Sequence, residues 1–327
     1  MEKIAIIIPY FGAYPNYFNL WLFSAGYNPS IDFYIITDIK TELNYPPNVH
    51  VVPMSFEDVK KKIQSLFNFI ITLDSPYKLC DYKPAYGLIF NEIIEGYDFW
   101  GHCDGDIIWG NLRKFLIGEV LNSYERIYSR GHLTLYKNNE KMNNLFLKEH
   151  YYKQAYTYKE AFSTQHACGY DEWGDSKFGM GISWIAEKEG IKNYDKIDFA
   201  DIKVNKFEFE LAGKQNSYST ITFRWKDGEL NCVYYNEEEI KEKEIAYLHL
   251  QKRKMIDNTK ELIKGFVVIP NQFIDNTQNI TKTQLDEWGK LKWVYVDWHI
   301  TRAQGIVKRV KNGALKQLFY RKKKMKS

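Results

Sequence analysis

Two aspartates one residue apart, Asp104 and Asp106, close an apolar run in the segment Phe99-Trp100-Gly101-His102-Cys103-Asp104-Gly105-Asp106-Ile107-Ile108-Trp109-Gly110. In an extended strand, residues i and i+2 share a face, so both carboxylates aim at one point beyond the strand end. Two hard oxygen donors converging there suit Mg²⁺ or Mn²⁺, ions that commonly carry a diphosphate. A bare Asp-x-Asp is also a common solvated turn. The buried-type strand before this pair and the apolar stretch after it favour the metal site.

The elements around the pair must position it. Lys3-Ile4-Ala5-Ile6-Ile7-Ile8 is a continuous apolar run stopped by Pro9, the pattern of a strand covered on both faces. Asp32 to Asp38 and Val49 to Pro53 read as further strands, and Tyr97 to Cys103 carries the aspartates at its end. Helical patterns lie between them: Asn16 to Ser24; Phe56 to Asn68, opened by a Ser55-x-x-Asp58 cap; and Pro84 to Ile94, with proline in the first turn. Strands alternating with helices predict an α/β fold with a Rossmann-like sheet. Ligands of such sheets sit beyond the carboxyl ends of the strands, where Pro9-Tyr10-Phe11, Thr37-Asp38 and Asp104-Gly105-Asp106 all fall. Farther on, Glu125 to Tyr128, His132 to Tyr136 and Ile245 to Leu250 read as strands. Glu140 to His150 and Ile182 to Glu189 read as helices. Thr220 to Phe223 and Glu229 to Tyr235 form a hairpin closed by an Asp227-Gly228 turn.

At 327 residues, 45% hydrophobic and 17% aromatic, the chain is globular rather than disordered. Its 25 Tyr and 9 Trp supply flat faces with a polar handle, suited to stacking on sugars or bases. No apolar run reaches the ~18 residues of a membrane-spanning helix. The start, Met-Glu-Lys running directly into a strand, is not that of a secretory signal, so a cytoplasmic location is expected. Cys80, Cys103, Cys168 and Cys232 are scattered, which argues against disulfides and zinc clusters. The net charge of +4 hides an asymmetry. Residues 302–327 hold ten Lys or Arg and no acid, leaving 35 basic against 41 acidic residues in the rest. Within this tail Ile306, Val307, Val310, Ala314 and Leu318 fall on one helical stripe flanked by Lys308, Arg309, Lys311 and Lys316. A basic amphipathic helix reads as an anchor on an anionic membrane surface, ahead of a terminal helix packed on the body or an arm for nucleic acid.

In the order and spacing of these pieces, from Lys3 to Arg253, the chain resembles GT-A type glycosyltransferases, in particular bacterial enzymes of capsule and lipopolysaccharide clusters. The matching stretches are the strand ending Ile8-Pro9-Tyr10-Phe11-Gly12, the approach Lys78-Leu79-Cys80-Asp81-Tyr82-Lys83-Pro84-Ala85-Tyr86, the Asp104-Gly105-Asp106 turn, and His249-Leu250-Gln251-Lys252-Arg253. The resemblance implies a GT-A fold: a mixed central sheet with helices on both faces. It implies a catalytic domain over 1–255, divided into a nucleotide half (1–110) and an acceptor half (111–255). An extension (256–301) and the basic helical tail (302–327) follow. It further implies Mn²⁺ or Mg²⁺ held by Asp106 and His249, with Asp104 contacting the ribose or binding the metal through water. Tyr10 and Phe11 would stack on the base, Asp81 and Lys83 would hold base and ribose, and Lys252 and Arg253 would clamp the diphosphate.

The reaction so implied moves a sugar from a UDP-sugar to a saccharide or lipid-linked saccharide in surface polysaccharide synthesis, with the enzyme peripheral at the inner membrane face. Inversion at the anomeric carbon needs a carboxylate base for the acceptor hydroxyl. The Gly169-Tyr170-Asp171-Glu172-Trp173-Gly174-Asp175 loop supplies candidates, Glu172 and Asp171 ahead of Asp175. A retaining enzyme needs no such base. Three rival readings stand beside this one. An aspartyl phosphatase wants acids after the first strand, where Ile8-Pro9-Tyr10 has none, and a nucleotidyltransferase wants an N-terminal glycine-rich basic loop that is missing. A non-catalytic sugar- or nucleotide-binding scaffold would have no use for an intact Asp104, Asp106 and His249.

Overall fold

Residues Ile4 to Ile8 are buried, and their alternate side chains enter two different cores. Ile4, Ile6 and Ile8 join one cluster with Phe33, Ile35, Phe99 and Cys103. Ile7 joins the other with Ile36 and Trp100. The period of two therefore defines both faces of a central sheet. A computed structural model of the chain describes residues 1–148, 152–175, 179–204, 206–212, 220–236, 239–276, 279–291, 299–300 and 303–304.

The first half runs β1 (Ile4–Pro9), α1 (Phe18–Gly26), β2 (Ile31–Thr37), β3 (Val49–Pro53), α2 (Phe56–Ser65), a 3₁₀ segment (Pro76–Ala85), α3 (Tyr86–Ile89), α4 (Asn91–Ile94), β4 (Phe99–Cys103) and β5 (Ile107–Trp109). After it come α5 (Gly118–Ser123), β6 (Arg126–Arg130), β7 (Leu133–Lys137), α6 (Glu140–Asn143), α7 (Tyr158–Ser163), β8 (Gly174–Asp175), β9 (Gly179–Met180), α8 (Ile182–Lys188), β10 (Asn193–Tyr194) and β11 (Ala200–Asp201). The last part holds β12 (Ile221–Lys226), β13 (Glu229–Asn236), β14 (Glu239–Glu244), β15 (Tyr247–His249), β16 (Ile256–Asp257), β17 (Phe266–Ile269), β18 (Gln272–Asp275) and α9 (Lys282–Gly289).

The central sheet has the order β10-β6-β7-β4-β1-β2-β3. Only β7 runs against the others. Helix α1, with Phe18 and Trp21, and α5, with Val120, cover one face. Helices α2 (Val59, Ile63), α7 (Phe162) and α8 (Ile182, Ile185) cover the other. This is the expected α/β class with helices on both faces. A three-stranded sheet, β11-β15-β5, branches off where β4 gives way to β5. A six-stranded sheet, β14-β13-β12-β17-β18-β16, packs beside it, with the Trp225 indole donating to the Trp109 carbonyl at 2.8 Å. Strands from both sides of residue 255 share that sheet, so the expected boundary between catalytic domain and extension is no break in the structure.

Local signals explain most elements. The Ser55 hydroxyl caps α2 by accepting from the Asp58 amide at 3.1 Å. Asp227 and Gly228, at φ of 52° and 85°, turn the β12–β13 hairpin. The helix expected over Pro84 to Ile94 is different. Pro76, not Pro84, occupies a first turn, and the chain winds as a 3₁₀ segment to Ala85. Two short α-turns follow, broken at Phe90, whose φ of −118° and ψ of 38° leave the helical region. Proline 84 inside the segment withholds the amide that a regular α-helix needs. The helix expected over Glu140 to His150 ends at Asn143 and passes into a 3₁₀ turn, and residues 149 and 150 lie outside the described residues. Apart from residues 303 and 304, so does the basic tail. Among the described residues no helix is long and apolar enough to cross a membrane, and the four cysteines are free thiols.

Candidate functional site

Three residues separate β4 from β5, and they are Asp104, Gly105 and Asp106. The Asp104 amide donates to the His132 carbonyl at 3.0 Å, and the Leu250 amide donates to the Asp106 carbonyl at 2.9 Å. The turn is thus clamped between the β6–β7 connection and the end of β15. Gly105 is required by close approach, since a Cβ there would lie 2.6 Å from the Tyr10 ring. Both carboxylates reach His249 across this turn. Its Nε2 lies 3.6 Å from Asp104 Oδ2 and 3.5 Å from Asp106 Oδ1. One donor atom from each of the three residues falls within 4.8 Å of the others.

Asp106 is buried, and its two oxygens differ. Oδ2 accepts from the backbone amide of Lys252. Oδ1 is buried and faces His249 Nε2 at 3.5 Å. Two carboxylates and an imidazole gathered at one point fit a divalent cation, because buried like charges are costly unless a cation joins them. The donor set, two carboxylates and one imidazole, suits Mn²⁺ or Mg²⁺. His249 reports the same field. Burial disfavours its imidazolium, but the Asp106, Asp201 and Asp104 carboxylates outweigh burial and raise the ring to about 10.

The turn after β15 carries backbone strain. Gln251 and Lys252 stand at φ of 49° and 57°, a left-handed pair without glycine, worth about 1–3 kcal/mol each. It delivers the Lys252 amide to Asp106 and sends the Lys252 ammonium over the Tyr77 ring, 4.2 Å from its centre. Buried Tyr128, at φ of 58°, is a second outlier, where the β6–β7 register shifts between Ile127 and Arg130. That irregularity leads into the turn whose Gly131 and His132 carbonyls brace Lys83 and Asp104.

The cleft around these groups has a volume of about 680 Å³. Tyr10, Phe11, Tyr77, Lys83, Asp104, Asp106, Asp171, Glu172, Lys252 and Arg253 all line it. Their roles, however, divide. Tyr10 rests against Tyr14, ring centres 5.2 Å apart, and Phe11 meets Phe56 edge-on at 5.5 Å. Burial, then the Asp106 and Asp104 charges, pushes the Tyr10 hydroxyl up to about 12, so it stays a neutral hydrogen-bonding group.

Three expected nucleotide contacts are corrected. Asp81 is fully buried and is not among the cleft-lining residues. It pairs with Lys78 at 2.6 Å and accepts from the amides of Cys168 (3.0 Å) and Tyr170 (3.0 Å). Its carboxylate ties the 168–172 loop to the 3₁₀ segment instead of reading a base. Lys83 has its ammonium committed to Asp104 (2.8 Å), the Gly131 carbonyl (2.7 Å) and Asp171 (3.2 Å). Burial works against its charge, but Asp104 and Asp171 overcome that and raise it well above the usual lysine range. An ammonium has three N–H groups, and all three are spoken for. The Arg253 guanidinium is turned into the protein. It donates to Asn271 at 2.6 Å and to the Phe207 carbonyl and lies 5.0 Å from the Phe209 ring centre, so it is no free phosphate fork.

The two carboxylates expected to act as base sit side by side over Gly131, where a Cβ would meet Asp171 Oδ2 at 2.5 Å and Glu172 Oε1 at 2.6 Å. Asp171 is buried. Burial pushes its carboxyl up to about 7, with Glu172 and Asp104 adding to the rise and Lys83 opposing it. Glu172 is half-buried on the cleft wall. The side chain of Asp175 lies outside the described residues. Asp201 was not singled out in the sequence. It accepts from His249 Nδ1 at 2.8 Å, and no local pattern marks it, because the contact spans 48 positions.

The chain is similar to several solved glycosyltransferase structures. The galactosyltransferase LgtC in complex with donor and acceptor sugar analogues matches over 60% of this chain and 75% of its own, at 12% identity and a TM-score of 0.35. Mouse xyloside xylosyltransferase 1 matches over 62% and 88%, at 8% identity and a TM-score of 0.36. The glycosyltransferase GlyE of Streptococcus pneumoniae matches over 63% of this chain and about half of its own length (48%), at 9% identity and a TM-score of 0.31. Likeness at this level fixes no activity. No curated protein matches the sequence. Residues 6–277 match one family model, and the chain belongs to that family, described as a family of unknown function (DUF6625).

Proposed function

We propose that this protein is a metal-dependent glycosyltransferase that moves a sugar from a nucleotide-sugar, UDP-linked in our reading, to a saccharide or lipid-linked saccharide. The observation that carries the proposal is the convergence of Asp104, Asp106 and His249, with donor atoms within 4.8 Å of one another, at one end of a cleft whose volume suits a ligand of nucleotide-sugar size. Asp104, Asp106 and His249 are the residues that would hold Mn²⁺ or Mg²⁺. A divalent ion there supplies stabilisation of the negative charge gathering on the departing diphosphate.

The chain's own groups do the rest. Lys252, whose ammonium rests on the exposed Tyr77 ring, is a cation with freedom to meet a phosphate, and Lys254 also lines the cleft. Tyr10 and Phe11 offer aromatic surface beside the metal cluster for the base. In an inverting reaction Glu172 takes the proton of the acceptor hydroxyl. The freed oxygen bonds to the anomeric carbon as the bond from that carbon to the diphosphate breaks. Glu172 is preferred to Asp171 because Asp171 is buried against Lys83. The basic segment 302–327 would bring the enzyme to an anionic membrane surface, a reading that rests on its sequence.

Calorimetric titration of the full chain with UDP, with and without Mn²⁺, tests this. Binding that requires Mn²⁺ and disappears in Asp106→Ala is expected. Binding indifferent to metal and to Asp106, or no binding, overturns it.

A further inference from the structure

His249 is held from two further sides by groups that do not reach the cleft's metal cluster themselves. Strand β11 pairs in parallel with β15 so that Asp201 stands opposite His249. Strand β15 pairs with β5 so that His249 stands opposite Ile107, the residue after Asp106. One row across this small sheet therefore runs from Asp201 through His249 to the end of the Asp-Gly-Asp turn. Asp201 Oδ1 receives His249 Nδ1 at 2.8 Å and the Gln251 side-chain amide at 2.8 Å. A carboxylate on Nδ1 holds the proton there, so the nitrogen that can give up its proton to a metal is Nε2, the one facing Asp104 and Asp106.

Behind the ring lies His132, with ring centres 4.5 Å apart and planes 32° from each other, its Nδ1 bonded to the Tyr247 hydroxyl at 3.0 Å. Donor atoms of His132, Asp201 and His249 also gather within 4.8 Å, which raises the question of a second cation. The hydrogen bond that already joins His249 Nδ1 to Asp201 Oδ1 argues against it, because an ion there would have to displace that proton. The His132 ring packs against the His249 ring.

We propose that Asp201 is a positioning residue. It holds His249 in the Nδ1–H form, aimed so that Nε2 is the metal ligand, and Gln251 fixes the Asp201 carboxylate in turn. Gln251 does so from a strained left-handed backbone, a conformation that persists where neighbours over-determine it. Supports of this kind orient a ligand and raise its basicity, and their loss costs about 10–100-fold in metal affinity.

The proposal rests on the metal reading above, and the test separates the two. Mn²⁺ affinity of the full chain is measured by calorimetry for the wild type, Asp201→Asn, Asp201→Leu and Gln251→Leu. Pulsed electron paramagnetic resonance follows the nitrogen coupling of bound Mn²⁺. Asp201→Leu is expected to weaken Mn²⁺ by about 10–100-fold and to reduce or abolish the nitrogen signal. Asp201→Asn keeps an acceptor for Nδ1–H and should recover part of both, and Gln251→Leu should lose less than Asp201→Leu. Wild-type affinity and an intact nitrogen signal in Asp201→Leu overturn the proposal. If that variant does not fold, unchanged affinity in both Asp201→Asn and Gln251→Leu overturns it equally. A wild type that binds no Mn²⁺ overturns the metal reading itself.

Discussion

Two turns in this molecule share a backbone shape and differ in everything else. The β12–β13 hairpin closes through Asp227 and Gly228, both at positive φ, residue types that adopt the left-handed region at little cost. The turn after β15 closes through Gln251 and Lys252, also both at positive φ, types that resist it. The first turn only reverses the chain. The second presents an amide to Asp106, an amide side chain to Asp201 and an ammonium to the cleft mouth. Strain is kept where the side chains are needed and is absent where they are not.

The comparison can be broken at its strongest point first. In the proposed reaction Asp106→Ala should lower sugar transfer by about 10³-fold, the rate equivalent of several kcal/mol, because the cluster loses one of its two carboxylates. Steady-state rates at saturating Mn²⁺ check this. Lys83→Met strands Asp104 and Asp171 without their shared cation and should destabilise the fold by about 3–5 kcal/mol in denaturant titration. Lys83→Arg should not restore it, because a planar fork cannot replace an ammonium holding three acceptors.

Asp171 gives a pH signature. Its carboxyl is raised to about 7, so the folded chain keeps a proton that the unfolded chain releases near pH 4. The folded state binds more protons between those limits, and stability falls as pH rises from about 4 to about 7. The loss is on the order of a few kcal/mol. Asp171→Asn should flatten that part of the curve, read from unfolding midpoints across the window.

The turns themselves supply the smaller effects. Lys252→Gly should relieve the left-handed strain and raise stability by about 1 kcal/mol, while weakening UDP by about tenfold through loss of a charge-assisted contact. Gly228→Ala should cost about 1 kcal/mol and leave UDP binding unchanged. Equal effects of the two substitutions on UDP would erase the distinction between the turns.

Much of the sheet was legible in sequence. The run Ile4 to Ile8, the Ser55 cap and the Asp227-Gly228 turn are local signals, and local physics decides them. The pair Asp104 and Asp106 was legible for the same reason, because i and i+2 on a strand end must share a face. His249 came from resemblance, and the fold brings it to the pair across more than 140 positions. Asp81, Lys83 and Arg253 meet partners inside the protein that their sequence neighbourhoods do not announce. Each is a charged residue in the right stretch, but which partner a charge meets depends on residues such as Tyr170, Gly131 and Asn271 that are distant or unmarked in the chain.

By itself, then, the sequence determined the α/β alternation, the doubly buried first strands and the convergence of two carboxylates at a strand end. All three follow from the periodicity and sterics of a few neighbouring residues. The tertiary structure alone decided which charges face the cleft and which brace it. Burying a charge is tolerable only beside its partner, and the pairings of Asp81, Lys83 and Asp201 form only when segments far apart in the chain are packed together.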